Sequence, residues 1–234
     1  VDVAKRERCG VGPGLAFACH YYTHHSNATT SDMHGTSGRR RRREVGLVPA
    51  AVGGTSLHQW SPHYYGHDHV TRETTVTKAK APVVYSQGCV NIFSCAVRSI
   101  FHAMTSCPLV GGVLWYQGET DAMDAQDTAS YGVRLKALLT QLRGAVAACA
   151  GYWGNRKVAA EEIPVLLVYV TCASQKGAFV HELRQQQQQV ALEMGLKTCD
   201  AQGLWLSPDK IHLTTSSYLH LGYRMALSFV SSSS

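Results

Sequence analysis

The order of apolar and polar positions along the 234-residue chain predicts strands that alternate with helices. Apolar runs at 45–52, 112–116 and 163–170 have the length and the Val and Leu content of strands buried on both faces. Apolar residues at steps of three and four predict helices over 127–148 and from about Ser216 onwards. This alternation predicts an α/β fold, a three-layer sandwich around a mainly parallel sheet.

Other segments carry weaker patterns. A Gly/Pro cluster before residue 15 precedes a predicted helix start, and a further helix is predicted around 91–104. The five consecutive glutamines at 185–189 are interpreted as part of a surface helix. Residues 26–43 show no hydrophobic periodicity and are predicted to be a loop. We expect one domain over residues 1–230, followed by a frayed tail of serines at 231–234.

Charge and apolar content exclude some classes of partner. The formal net charge is +6, and five of the positive charges form the single run Arg39–Arg43. Nucleic-acid binding proteins more often spread basic residues over a face, so we expect this run to be a solvated loop and predict no nucleic-acid partner. No stretch approaches 18 uninterrupted apolar residues, so no membrane-spanning helix is expected.

A metal site is also not predicted. None of the eight cysteines forms a Cys-x-x-Cys pair, which argues against structural zinc. Two groups of histidines lie close together in the sequence, His20, His24, His25 and His34, and His58, His63, His67 and His69 with Asp68. Zinc needs three or four converging ligands, and neither group sits on a predicted framework that would bring them together.

Polar clusters follow or flank the predicted strand ends, where parallel sheets usually carry their active sites. Asp209 lies three positions before His212, so its carboxylate could fix the imidazole, or it could be a helix cap or a loop salt bridge. The backbone N–H groups of Gly53 and Gly54 could stabilise an oxyanion, or the glycines could serve a tight turn. The Gln117 amide could donate to the same oxyanion, or simply end a strand.

Taken together, these clusters resemble carbohydrate esterase family six, the sialate O-acetylesterase-like (SASA) domain of the SGNH-hydrolase superfamily. WYQGE followed two positions later by an acidic residue is a specific mark of the resemblance. The matching stretches are CGVGPGLAFA at 9–18, VGLVPAAVGGTSLHQW at 45–60, VLWYQGETDA at 113–122 and SPDKIHLTTSSYLHLG at 207–222. The resemblance implies a flavodoxin-like sheet and a Ser-His-Asp hydrolase that releases acetate from acetylated sugars without a metal or cofactor.

The resemblance also implies a role for each matching residue. His212 would be the general base, with Asp209 as its orienting partner. Gly53, or less readily Gly54, would supply a backbone donor to the oxyanion, and Gln117 a side-chain donor. Glu119 would support the loop as a hydrogen-bond acceptor, since an ionised carboxylate cannot donate.

One part of the family pattern is absent. The family opens with a strand that ends in Gly-Gln-Ser-Asn and supplies the serine nucleophile, and this sequence has no such motif. We therefore assign no nucleophile and expect no serine-esterase turnover from the chain as written. It would be either a fragment that lacks a first strand or an inactive homologue that acts as a carbohydrate-binding or scaffold protein. Residues 26–43 and 82–108 look like insertions relative to the family.

Overall fold

The computed structural model describes residues 12–28, 44–64, 91–107, 109–154, 157–172 and 177–231. Within these residues the chain forms three strands, β1 (Val113–Trp115), β2 (Val165–Tyr169) and β3 (Lys197–Asp200). It also forms helices α1 (Pro13–Ala28), α2 (Ile92–Ala103), α3 (Ala125–Gly154), α4 (Val180–Met194) and α5 (Thr215–Val230).

The three strands form one parallel sheet in the order β1-β2-β3. Val113 lies opposite Val165 in the first pair, and Leu167 lies opposite Thr198 in the second. The central strand β2 is buried, as its unbroken apolar run predicts. In the part of the chain that the structure describes, β1 pairs with β2 alone.

Alternate residues of β2 face two different helical layers. Leu167 belongs to the core that β2 shares with α2, α3 and α4, whereas Leu166 and Val168 belong to the core shared with α1 and α5. Side chains of a strand point alternately to its two faces, so each face of the sheet is covered by helices. The predicted α/β architecture with a parallel sheet is therefore confirmed.

The strongly patterned helices are confirmed as well. The predicted core positions of α3 are all at most 7% exposed, namely Tyr131, Leu135, Leu138 and Leu142. The helix predicted near 91–104 is α2, which Asn91 caps by accepting a hydrogen bond from Ser94 N at 2.8 Å. The last helix begins at Thr215, one residue before its predicted start.

One strand prediction is wrong, and one strand of the sheet was not predicted. Residues 45–52 form no strand, and Leu47 and Val48 are each 41% exposed. Pro49 has no N–H to donate to a strand ladder, which disfavours a central strand there. Conversely, β3 was not predicted, because its four residues include a charged residue at either end and carry no clear period.

The glutamine run is helical, as predicted, but only part of it lies on the surface. Gln185, Gln188 and Gln189 are exposed, whereas Gln187 is fully buried. Its neighbour Gln186 accepts a hydrogen bond from Gly132 N of α3 at 2.6 Å. The interpretation as a purely surface helix is therefore wrong for these two positions.

Several predictions fall partly or wholly outside the described residues. Arg39–Arg43, His34, His67, His69 and residues 232–234 lie there, as does most of the predicted loop at 26–43, whose first three residues belong to α1. Over the described ranges, no helix is both long and apolar enough to cross a membrane. Nor do three or more metal-ligating side chains come together there.

Candidate active site

Three segments follow the carboxyl ends of the strands. Residues 117–119 come after β1, residues 170–172 after β2, and a hairpin at 205–214 links β3 to α5. In parallel α/β sheets this edge is the usual place for an active site. The candidate catalytic residues therefore lie on elements that one edge of the sheet positions.

The first feature is the pair formed by Asp209 and His212. Asp209 Oδ2 lies 2.6 Å from His212 Nδ1, while its Oδ1 accepts the backbone N–H groups of Ile211 and His212, both at 3.0 Å. Lys210 adopts a left-handed backbone conformation with φ of 63°, which closes the tight turn between them. The His212 side chain is 64% exposed, so its other ring nitrogen can face a substrate.

The hairpin holds this pair against the fold. Leu206 and Leu213 form an antiparallel bridge, and Ser207 N donates to His212 O at 2.7 Å. Thr214 then caps α5 by accepting a hydrogen bond from Ser217 N at 3.2 Å. The backbone of His212 is thus fixed between a bridge and a helix start.

Hydrogen bonds keep Asp209 ionised. The bond to His212 lowers the pKa of the Asp209 carboxyl to about 2, and the backbone N–H of Ile211 contributes to the shift. The carboxylate is therefore charged at every pH where the neutral imidazole could act as a base. A fixed carboxylate orients the ring and stabilises the imidazolium that forms on proton transfer.

The glycines predicted as oxyanion donors lie in an exposed turn at 53–54, where Gly54 has φ of 69°. The turn leads into a buried segment. Trp60 Nε1 donates to Thr55 Oγ1 at 3.0 Å, and Thr55 Oγ1 donates to Val52 O at 2.8 Å. These bonds fix the backbone on either side of the glycine turn.

A buried carboxylate joins this turn to the end of β1. The backbone N–H of Leu57 donates to both carboxylate oxygens of Asp121, at 2.9 and 3.0 Å. Gln117 Nε2 donates to Asp121 Oδ2 at 2.6 Å. Thr128 Oγ1 donates to the Asp121 backbone carbonyl at 2.8 Å. Burial raises the pKa of Asp121 to about 6, although the bonds from Gln117 and Leu57 oppose the shift. Sequence reasoning treated this acidic residue only as a mark of family resemblance and missed its structural role.

Gln117 is part of the same network. Its Nε2 also donates to Thr55 O at 3.1 Å, so both amide hydrogens bond within the protein. Its backbone carbonyl accepts from Tyr131 Oη at 2.8 Å and from Gln187 Nε2 at 3.2 Å. For Gln117 to donate to an oxyanion, one amide hydrogen would have to leave its present acceptor, and this role stays a prediction.

Glu119 follows Gln117 by two positions, after the end of β1. Burial raises the pKa of its carboxyl, nearby backbone N–H groups and the charge of His212 lower it, and the charge of Asp121 raises it. Glu119 therefore interacts electrostatically both with His212, the candidate base, and with the buried carboxylate of Asp121. A partly buried carboxyl with a raised pKa is often found at functional sites.

A thiol also borders this site. Burial, with a smaller effect of the Glu119 charge, raises the pKa of Cys172 to about 11. At neutral pH the side chain is a thiol and not a thiolate, and only the thiolate is a good nucleophile. Cys172 is thus a poor nucleophile at neutral pH.

Comparisons with known proteins identify the family of the chain. Residues 1–231 match the SASA family, described as carbohydrate esterase, sialic acid-specific acetylesterase. A probable carbohydrate esterase of Arabidopsis thaliana is 27% identical over 232 residues, which cover 99% of this chain and 68% of that protein. The X-ray structure of the protein from the same Arabidopsis locus superimposes with a TM-score of 0.69 at 25% identity, over 98% of this chain and 72% of that chain. The structure of Est24, a carbohydrate acetylesterase from Sinorhizobium meliloti, gives a TM-score of 0.39 at 18% identity, over 61% of this chain and 70% of that chain. The chain therefore belongs to the SASA family of carbohydrate esterases.

Proposed function

We propose that this protein is a carbohydrate O-acetylesterase that cleaves acetyl esters from acetylated sugars, with His212 as its general base. The observation that carries the proposal is the 2.6 Å contact between His212 Nδ1 and Asp209 Oδ2 beside an exposed imidazole. The family to which the chain belongs supports the acetyl ester as the bond that is cleaved. No cofactor enters the proposed reaction.

In the proposed mechanism, His212 Nε2 takes the proton of the attacking hydroxyl as its oxygen bonds to the acetyl carbon. The resulting tetrahedral oxyanion collapses and expels the sugar oxygen, which takes the proton back from the imidazolium. Where the hydroxyl belongs to a serine, water then repeats the cycle on the acetyl-enzyme and releases acetate. Asp209 stays ionised throughout and balances the charge of the imidazolium.

The oxyanion would be stabilised by hydrogen-bond donors at the neighbouring turn. The candidate donors are the backbone N–H groups of Gly53 and Gly54 and the side-chain amide of Gln117. Removing one such donor from a hydrolase typically costs about 10²–10³-fold in kcat. Asp121 supports this arrangement by holding Leu57 and Gln117 together.

The attacking serine is not assigned to a residue, because the sequence has no Gly-Gln-Ser-Asn motif. That absence favours a second candidate function, a homologue that binds acetylated carbohydrate without cleaving it. Both candidates use the same residues around His212, and they differ in whether acetate is released.

The deciding experiment measures acetate release from acetylated xylotriose and from 4-nitrophenyl acetate. Wild type is compared with His212→Ala and with His220→Ala, an exposed histidine of α5, as the matched control. Turnover that is lost in His212→Ala but retained in His220→Ala supports the esterase, and a fluorophosphonate probe followed by peptide mapping then locates the serine. Folded wild-type protein with no more acetate release than His212→Ala contradicts the esterase and favours the binding protein.

A further inference from the structure

One large aromatic side chain stands in solvent beside the candidate base. Trp205 is 81% exposed, whereas Trp60 and Trp115 are each 6% exposed. An indole has a large apolar surface that proteins usually bury, and exposed aromatic residues are enriched where a partner covers them. The exposed indole of Trp205 is therefore a candidate contact surface for a ligand.

The hairpin sets the direction of this side chain. Leu206 and Leu213 form its antiparallel bridge and belong to the core below, with Leu213 only 3% exposed. Trp205 and His212 each adjoin one residue of this bridge, and both are exposed to solvent. Trp205 lies opposite Thr214, two positions beyond His212.

The hydrogen bonds of the hairpin place Trp205 and His212 at diagonal positions of the pairing. Diagonal positions on one face of an antiparallel pair are about 7–8 Å apart. A single sugar ring can fill such a gap, with its ester group directed towards His212. A larger rigid partner would have to cover the imidazole as well.

The backbone of Trp205 is fixed in the absence of a ligand. Trp205 N donates to Ser217 Oγ at 2.9 Å, and Trp205 O accepts from Thr214 N at 3.0 Å. Both backbone groups of the residue are therefore anchored to the start of α5. An aromatic side chain on an anchored backbone loses less conformational entropy on binding than one on a loose loop.

We propose that Trp205 is a sugar-binding subsite, on which a pyranose ring of the carbohydrate substrate stacks with its C–H face against the indole. This inference rests on the proposed carbohydrate function. It concerns the part of the site that binds the sugar ring, whereas the ester itself lies at His212. The shared chemistry is an apolar pyranose face. It could come from a neutral xylan-type chain or from an anionic sialic acid.

The test uses sugars that carry no O-acetyl ester, xylotriose and N-acetylneuraminic acid. Neither can be turned over, so the result does not depend on esterase activity. Each sugar is titrated into the full chain while the four tryptophan indole N–H signals are followed by NMR. Trp205→Phe assigns the Trp205 signal by its disappearance, and the unfolding midpoint of every variant confirms that it folds.

The expected result is that at least one sugar shifts the Trp205 indole signal and that Trp205→Ala weakens its Kd about tenfold. Trp205→Phe, which keeps a flat aromatic face, should bind with intermediate affinity. The matched control is Trp153→Ala, which removes a partly exposed tryptophan at the far end of α3 and should leave Kd unchanged.

The outcomes separate the ligands and the two proposals. A response to xylotriose alone identifies a neutral chain, and a response to N-acetylneuraminic acid alone identifies a sialic acid. If neither sugar moves the Trp205 signal, or if Trp205→Ala binds as tightly as wild type, the subsite proposal is overturned. Failure of the esterase proposal would appear separately, as absence of acetate release.

Discussion

Leu57 donates its backbone N–H to both carboxylate oxygens of Asp121, at 2.9 and 3.0 Å, across 64 positions of the chain. The same carboxylate accepts Gln117 Nε2 at 2.6 Å. One buried side chain therefore holds the glycine turn at 53–54 and the end of β1 in a fixed relation. The three proposed oxyanion donors, Gly53, Gly54 and Gln117, lie on these two segments.

The first prediction removes the carboxylate of Asp121, which acts as a clamp between Leu57 and Gln117. Asp121→Ala should lower the free energy of unfolding by about 2–4 kcal/mol, because it leaves the Leu57 N–H and the Gln117 amide without their acceptor in a buried site. Urea unfolding at pH 7 measures the loss. Asp127→Ala is the control, since Asp127 forms a part-exposed ion pair with Arg134 and its removal should cost about 1 kcal/mol or less. Equal losses in the two variants would argue against the clamp.

The second prediction concerns pH. Because the folded-state pKa of Asp121 is raised to about 6, the folded protein holds this proton more tightly than the unfolded chain does between about pH 4 and pH 6. Its contribution to stability is therefore fully present below pH 4 and falls as the pH rises through 6. Relative to Asp121→Asn, wild type should lose about 2–3 kcal/mol of unfolding free energy from pH 4 to pH 7.

Urea unfolding at several pH values gives that difference, and the other titrating groups largely cancel between the two proteins. A difference that stays constant, or that grows with pH, would contradict the raised pKa. Most carboxylates that form ion pairs behave in the opposite way, because their folded-state pKa is depressed.

The sequence predicted best where one periodicity extends over many residues. The 3.6-residue repeat of α3 and the unbroken apolar run of β2 each arise from burial that the side chains themselves encode. The Asp209–His212 contact was also predictable, since three residues separate the pair and a single turn brings them together.

Features that depend on distant parts of the chain were not predictable in this way. The apolar run at 45–52 resembles a strand, but Pro49 cannot donate to a neighbouring strand and the run lies partly in solvent. Asp121 could not be recognised as a clamp because its partner Leu57 is brought to it by the fold alone. Trp205 gives no signal in the sequence, as only the hairpin reveals which face it occupies.

The third prediction separates two adjacent glutamines of the run. Gln187 Oε1 accepts Val170 N at 3.1 Å, and its Nε2 lies 3.3 Å from Tyr131 Oη. Gln187→Ala should lower the unfolding free energy by about 1–3 kcal/mol, because a buried N–H loses its acceptor. Gln188→Ala, at an exposed helix position, should change it by about 0.5 kcal/mol or less. Equal losses of unfolding free energy in the two variants, measured by chemical unfolding, would mean that the buried hydrogen bonds of Gln187 contribute little to stability.

The fourth prediction compares two helical glycines. A Cβ at Gly222 of α5 would come within 2.5 Å of Pro13 O and 2.6 Å of Ala16 Cβ, so Gly222→Ala must push α1 and α5 apart. We expect a loss of about 1–3 kcal/mol. Gly144 of α3 has no atom within 4 Å of its added Cβ, and Gly144→Ala should stabilise by about 1 kcal/mol through helix propensity. The midpoint of thermal unfolding should thus fall in Gly222→Ala and rise in Gly144→Ala. A shift of the same sign in both variants would contradict the close approach of α1 and α5 at Gly222.

The fifth prediction tests how Asp209 directs His212. In Asp209→Asn an amide N–H can face Nδ1, which places the ring proton on Nε2 and prevents that atom from acting as a base. Where wild type releases acetate, kcat/KM should fall about 10³–10⁴-fold. The side chain of Asp209 is 47% exposed, so the unfolding midpoint should change little. Because the pKa of Asp209 is about 2, protonation of Asp209 should not contribute to the acid limb of the wild-type pH–rate profile.

The same variant has a readout that needs no turnover. In wild type at high pH, the neutral His212 ring should carry its proton on Nδ1, where Asp209 Oδ2 accepts it at 2.6 Å. Nitrogen-15 shifts of the two ring atoms distinguish the tautomers, and the proton should move to Nε2 in Asp209→Asn. His220, which is exposed on α5, serves as the internal control and should keep its shifts. An unchanged His212 tautomer in the variant would show that the carboxylate does not orient the ring, whatever reaction the site performs.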